Sequence, residues 1–282
     1  MTPVVAVIAP GMMGAAVGKR LVDNGLKVLT SLDGRSQETV ARAKEAGLTA
    51  ASDAEIAATD FILSILPPGD ALSLAERFAP ALSASNAKPA YVDCNAINPA
   101  TVGRVAAAIA PTGCAFIDAG IIGSPPKPGD AGPRVYASGP AAPRLATLRQ
   151  YGLDIRLLEG AMSAASALKM SYAGITKGTQ ALGAAMMLAA SRAGSADALY
   201  AELQSSQKEM LGWLKRSLSL MPPKAYRWVA EMHEIAGFVG DDPAAHELYE
   251  GAAHFYERIA GDFEADKQNV NALMEFLGKG GH

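Results

Sequence analysis

The sequence predicts a doubly wound α/β domain over residues 1–160 followed by an all-α domain over residues 161–282, on three observations. Short apolar, β-branched runs alternate with helical patterns as far as Leu158, the order of a mostly parallel sheet with helices on both faces. The chain opens with a strand, a glycine turn and a helix in immediate succession: Val4–Ile8, then Ala9-Pro10-Gly11-Met12-Met13-Gly14, then the periodicity of Val17 and Leu21. Beyond Gly160 the strand patterns cease, and the chain reads as helices broken by Pro222-Pro223, Gly237, Gly240 and Asp242-Pro243.

A glycine turn between a first strand and a first helix is the context of a dinucleotide-binding fingerprint, and the α/β domain is therefore read as Rossmann-type. A side chain at Gly11 would occupy the space a pyrophosphate needs, and Gly14 lets the helix pack closely on the strand. The helix N-terminus adds unpaired N–H groups and the positive end of its dipole. Ala9 stands where the first fingerprint glycine usually is, so the cofactor-binding candidates here are Ala9, Pro10, Gly11, Met12, Met13 and Gly14. Gly25 closes the helix, and Lys27–Ser31 reads as the second strand. The turn after it, Leu32-Asp33-Gly34-Arg35-Ser36, lies where such folds read the adenosine ribose. Asp33 suits the 2′-hydroxyl of NAD, whereas Arg35 and Ser36 suit the 2′-phosphate of NADP. Gly34 lets the turn swing Asp33 away, so NADP is the preferred expectation and NAD the alternative.

Thr39–Ala46 is predicted helical with Gly47 as its stop. Phe61–Leu66 is a buried strand ended by Pro67-Pro68, and strand ends of this kind face the cofactor crevice, which adds Leu66 and Pro67 to the candidates. Leu72–Ala81 is helical, and the strand Ala90–Asp93 leads into Cys94-Asn95-Ala96, with Pro99 suited to the first turn of the next helix. Ala115–Asp118 is a short strand followed by a glycine- and proline-rich loop, Ala119 to Pro126. Arg134–Ala137 and Asp154–Leu158 complete the strands.

Composition narrows the class. Half of the 282 residues are hydrophobic and the formal net charge is −3, which implies neither a nucleic-acid nor an anionic-membrane partner. Cys94 and Cys114 lack metal-ligand spacing, the four histidines are scattered, and no metal is expected. No run reaches the ~20 apolar residues of a membrane span, and nothing at the N-terminus resembles a signal peptide, so the expectation is a soluble, cytoplasmic protein.

From Gly160 to Ser191 the only charges are Lys169 and Lys177. A helix without charge on any face is expected to be buried on every face, here over roughly 45 Å at 1.5 Å per residue. An ammonium on such a helix is costly unless paired or used, and burial draws a lysine toward proton transfer. Lys169 could serve as general acid toward a carbonyl and as general base toward a hydroxyl. The alternative is a lysine snorkelling to the surface. Lys177, about 80° further round the helix, is structural or auxiliary. Trp228 and Met232 share a helical face and are either core or the apolar wall of a substrate pocket; Glu231 and Glu234 are solvated or paired with a lysine, and a role for His233 stays open.

These motifs resemble the β-hydroxyacid dehydrogenase family, which includes the 3-hydroxyisobutyrate and 6-phosphogluconate dehydrogenases. The resemblance is closest to a 6-phosphogluconate-dehydrogenase-like branch whose C-terminal domain is of unknown function. The fingerprint matches Ile8 to Gly14, the carboxylate segment Asp93-Cys94-Asn95-Ala96, the substrate loop Asp118 to Ser124, and the catalytic helix Ser163 to Lys169. The resemblance implies hydride transfer with NAD(P) between a hydroxyl and a carbonyl of a small, carboxylated substrate, with Lys169 as the catalytic lysine. It implies substrate contacts at Asn95, Ile122, Gly123, Ser124 and Tyr172, with Asn95 also beside the cofactor, and a homodimer made through the helical domain. Asn95 replaces the family's usual serine, Ile122-Gly123-Ser124 its Ser-Gly-Gly, and Tyr172 its usual asparagine, which leaves the substrate open. The alternatives are imine reduction, by a related family that usually lacks the lysine, and a non-catalytic dinucleotide-binding sensor.

Overall fold

The computed structural model describes residues 2–279 and divides into two compact units at Met170/Ser171. In the first unit the apolar runs become strands because both faces of each must be covered. Val5 and Val7 of β1 (Val4–Ile8) enter one core layer, while Ala6 and Ile8 enter the other. Helix α1 (Met12–Asp23) follows, then β2 (Lys27–Thr30), α2 (Gln37–Glu45), the two-residue β3 (Thr49–Ala50) and the single turn α3 (Asp53–Ile56). Next come β4 (Phe61–Ser64), α4 (Ala71–Ala84), β5 (Ala90–Asp93), α5 (Pro99–Ile109) and β6 (Ala115–Ile122). β7 (Arg134–Ser138), the single turn α6 (Ala142–Leu145) and β8 (Asp154–Leu157) close the sheet.

The eight strands lie in the order β3-β2-β1-β4-β5-β6-β7-β8, parallel except for β6 against β7. β1 has β2 on one side and β4 on the other, so the chain reverses its winding there and leaves a crevice at the carboxyl ends of the strands. On one face Val17 and Leu21 of α1 pack with Val28 and Leu63; on the other Phe78 and Leu82 of α4 pack with Ile62 and Val102.

One expectation needs correction. Ala119 to Ile122, read as part of a loop, continue β6 to eight residues. Antiparallel pairing with β7, from Asp118↔Ser138 to Ile122↔Arg134, supplies the ladder bonds that carry the strand past its parallel neighbours. The loop begins only at Gly123, with φ +133°, where a Cβ would lie 3.1 Å from Pro133 Cα.

A single helix, α7 (Ala164–Arg192), carries the chain into the second unit. That unit continues with α8 (Ala196–Ser206), α9 (Lys208–Leu218), α10 (Ala225–Phe238), α11 (Pro243–Glu264) and α12 (Gln268–Gly278). Gly174 and Gly178 leave room for the Tyr249 ring of α11, whose hydroxyl would lie 2.9 Å from a Cβ at Gly174. The sequence leads one to expect this helix to be buried on every face, against its own chain or a second subunit; within one chain it is buried only in part. Ile175, Leu182 and Met186 are more than half exposed, because no element among the described residues covers that side of the helix. Among the described residues no helix is long and apolar enough to cross a membrane.

Candidate functional site

The carboxyl edge of the sheet gathers the predicted residues of the first unit. Gly11 is the N-cap residue of α1, and the helix starts with no side-chain cap and no acid in its first turn. Its leading amides therefore keep their donors and dipole for an anion. A Cβ at Gly11 would meet nothing within 4 Å, whereas one at Gly14 would lie 2.2 Å from the Ala9 carbonyl oxygen. The first glycine keeps a space open above the turn, and the second lets helix and strand touch. That cradle fits a dinucleotide pyrophosphate, with the backbone of Ala9, Pro10, Met12 and Met13 forming the rest of the turn.

After β2, Asp33 is exposed on a turn that Gly34 makes at φ +69°. Ser36 caps α2, its Oγ accepting from the Thr39 amide at 3.3 Å. The Arg35 guanidinium is half-buried with no hydrogen-bond or ion-pair partner among the described residues. Arg42, not singled out from sequence, reaches back from α2 to donate to the Pro10 carbonyl at 3.4 Å while paired with Glu38. Its i,i+4 spacing to Glu38 was visible in the sequence, but its approach to the fingerprint turn was not.

Asn95 is buried, and its side chain braces two strand ends. Its Oδ1 accepts from the Leu66 amide at 2.6 Å, and its Nδ2 donates to Ser64 Oγ at 2.9 Å and to Asp93 at 3.1 Å. This fixes the turn into Leu66 and Pro67 against the end of β5. Ile122 is buried in the strand, while Gly123 and Ser124 are exposed just beyond it.

Lys169 belongs to the first unit, on the second turn of α7. Its Nζ donates to the Ile121 carbonyl at 3.0 Å, close to the carboxyl end of β6. An ammonium has three donors, and this bond uses one of them. The helix reaches the strand because Gly120 has no side chain: a Cβ there would lie 2.9 Å from the Ala165 carbonyl oxygen and 3.1 Å from Lys169 Cβ. Asp118, which the sequence placed at the head of the substrate loop without a role of its own, is fully buried two residues earlier on β6 and accepts from Ser166 Oγ at 2.5 Å and the Ser166 amide at 2.8 Å. Burial pushes its carboxyl above the usual range, against these hydrogen bonds. Its place at the head of the substrate-loop motif was its signal in the sequence, and nothing there pointed to Ser166.

The other candidates lie in the second unit. Tyr172 is exposed, and Met232 is fully buried in its unit. Lys177 pairs with Glu231 and lies 4.9 Å from the centre of the Trp228 ring, which meets Tyr256 edge-on at 5.1 Å. The Tyr256 hydroxyl donates to the Lys177 carbonyl at 2.6 Å, so Lys177, Glu231 and Trp228 form one packed group. His233 lies on the surface, 3.0 Å from Glu250. Among the described residues no three His, Cys, Asp or Glu side chains are grouped to hold a metal ion.

Comparison with known proteins matches residues 4–145, half of the chain, to the NAD binding domain of 6-phosphogluconate dehydrogenase. Residues 190–259 match a domain of unknown function, DUF1932. The solved conserved protein MTH1747, described as structurally similar to 3-hydroxyacid dehydrogenases, is 29% identical with a TM-score of 0.69, over 95% of this chain and 98% of that one. The 3-hydroxyisobutyrate dehydrogenase of Mycobacterium tuberculosis, solved with L-serine, shares the fold at 20% identity and a TM-score of 0.68, over 98% and 99% of the two chains. An imine reductase variant from Myxococcus stipitatus, in complex with NAD+, shares it at 20% identity and a TM-score of 0.59, over 98% and 100%.

Proposed function

The chain belongs to the β-hydroxyacid dehydrogenase family, in the branch that joins the NAD-binding domain of 6-phosphogluconate dehydrogenase to DUF1932, and on that premise we propose that it interconverts a hydroxyl and a carbonyl on a small, carboxylated substrate. The observation that carries the reading is Lys169, whose ammonium is held by the Ile121 carbonyl at the carboxyl edge of a sheet with an uncapped glycine turn. Bound NAD(P) supplies the hydride acceptor or donor. Lys169 Nζ gives a proton to the substrate oxygen in reduction and takes it back in oxidation. Exposed Gly123 and Ser124 offer a backbone amide and a hydroxyl to the substrate, and Asn95 acts from behind by holding the Leu66 turn. NADP is the proposed cofactor, supported by the unpartnered Arg35 beside a turn that leaves Asp33 exposed.

The test is reduction of NADP+ and NAD+ with a panel of aliphatic and aromatic hydroxyacids, run beside reduction of cyclic imines by NADPH. Turnover of at least one hydroxyacid, with NADP+ the better cofactor, is the expected result. Turnover confined to imines would replace the reading with imine reduction, and tight cofactor binding without turnover on either panel would favour a sensor.

The second unit supports a homodimer. Between α7 and α11 lies an apolar groove of about 840 Å³, lined by Ile175, Leu182, Ala185, Leu248, Ala252 and Phe255. Monomers rarely leave a continuous apolar face of this kind in water. Small residues beside it, Gly178 and Gly251, permit close helix approach, so we assign the groove to a second copy of the chain. Sedimentation should give a dimer for the wild type and a monomer for the double substitution Ile175→Asp with Leu182→Asp. A monomeric wild type at micromolar concentration would remove this assignment.

A further inference from the structure

The start of α7 is held only in part by its own sequence. The Ala164 and Ala167 amides donate to the local Ala161 and Ser163 carbonyls, both at 3.0 Å, but the two amides between them are met from strands: Ala165 N donates to Ser138 Oγ of β7 at 2.9 Å, and Ser166 N to Asp118 of β6 at 2.8 Å. Ser138 in turn lies 3.1 Å from Asp118 and 2.8 Å from the Met162 carbonyl, so its hydroxyl ties the approach to the helix to the same carboxyl. A carboxylate at a helix N-terminus satisfies orphan donors and meets the positive end of the dipole. Asp118 does both from a distant strand.

Helix and strand are thereby joined at three successive points. Asp118 binds Ser166, bare Gly120 receives Ala165 and Lys169 Cβ, and the Ile121 carbonyl receives Lys169 Nζ. Asp118 and Gly120 lie on the same face of β6 because side chains alternate along a strand. Ser166 and Lys169 are three apart and so are neighbours on the helix surface. The bond at the helix start is therefore one turn from the ammonium.

We propose that Asp118 is a positioning residue for Lys169, its buried carboxyl pinning the first turn of α7 to β6 and so setting where the ammonium meets the carboxyl edge of the sheet. The proposal rests on the oxidoreductase reading for its catalytic consequence, but the pinning itself does not. A displacement of about 1 Å at a reacting group can cost on the order of 10²-fold in rate.

Asp118 also carries a pH signature. Burial raises its folded-state pKa above the ordinary carboxyl value of 3.8, with Ser166, Ser138 and the Ala165 amide opposing the rise. The folded protein then holds the proton more tightly than the unfolded chain. Its contribution to stability is full below 3.8 and is lost as the pH climbs through the raised value. The titratable groups around it are Asp93 and Cys94 at the end of β5, the Cys94 thiol being pushed up by burial and then by both carboxylates, and Lys169 on α7. Asp118→Asn, which does not titrate, should gain stability relative to wild type across that same window.

The test compares Asp118→Asn with Asp118→Ala. Asparagine keeps an acceptor for the Ser166 amide and should hold kcat within a few-fold, whereas alanine should lower kcat by about 10²-fold with the KM for the dinucleotide unchanged. A second readout needs no substrate: reductive methylation with ¹³C-formaldehyde, with the Lys169 resonance assigned by its loss in Lys169→Arg. That resonance should move in Asp118→Ala and return close to its wild-type position in Asp118→Asn. If Asp118→Ala does not fold, Ser166→Ala, which removes only the bond at 2.5 Å, should move the resonance in the same direction by less. An unmoved resonance in the folded alanine variants would overturn the proposal. Turnover that survives Lys169→Ala would instead remove Lys169 from the proton transfer and leave the pinning to be judged by the resonance alone, whereas absence of turnover in the wild type would sink the oxidoreductase reading.

Discussion

Lys169→Ala is expected to lower turnover by about 10²–10⁴-fold, the usual contribution of a positioned acid–base group, with dinucleotide affinity unchanged. The expectation follows from where the ammonium stands. Lys169 Nζ bonds the Ile121 carbonyl, and the fingerprint turn that would hold the pyrophosphate follows a different strand, β1. Removing the amine takes away the proton donor and acceptor but leaves that turn intact. No buried acid is stranded by the change, since the group lost is bonded to a neutral carbonyl. Fluorescence titration with NADPH separates binding from chemistry, and steady-state rates on the best hydroxyacid give the loss. A fall of less than tenfold with unchanged affinity would remove Lys169 from the proton transfer.

Gly14→Ala should abolish cofactor binding together with part of the stability of the first unit. The new Cβ would lie 2.2 Å from the Ala9 carbonyl oxygen and 3.5 Å from Val7 Cγ1, so α1 must leave β1 or the turn must distort. Overpacking of this sort costs roughly 1–3 kcal/mol and more where backbone is the obstacle. Every ~1.4 kcal/mol that reaches the phosphate site is a tenfold loss of affinity. Gly11→Ala is the contrasting variant. Its Cβ enters open space at a φ of −68°, which any residue accepts, so the melting temperature should stay near wild type while binding is lost. Thermal melting with and without NADPH distinguishes the two cases. Wild-type melting and binding in Gly14→Ala would mean that helix and strand are not in contact at that glycine.

Much of the α/β unit could be read from local pattern because each signal has a local cause. Val4–Ile8 is apolar without interruption because both faces of a central parallel strand are covered, and Gly11 and Gly14 report a backbone approach confined to a few residues. Lys169 stood out because charge is rare on its helix, so a single ammonium was informative without any knowledge of its partner. The end of β6 could not be read, since Ala119 to Ile122 contain glycine and precede a proline-rich loop. They are a strand only because β7 returns antiparallel along them.

By itself the sequence determined the class of the molecule: strands where both faces are apolar, a glycine turn where backbone must approach backbone, helices after Gly160, and one lysine worth suspecting. Only the tertiary structure decided what the polar groups do. Asp118 caps a helix 48 residues away, Asn95 joins the Leu66 turn across 29, and Lys177 meets Glu231 across 54. It also decided that one side of α7 is left open, which an even run of small and apolar residues cannot reveal. The physical reason is range. Hydrophobic period and turn chemistry act between neighbours in the chain, whereas the pairing of a buried charge depends on which strands and helices the finished fold sets side by side.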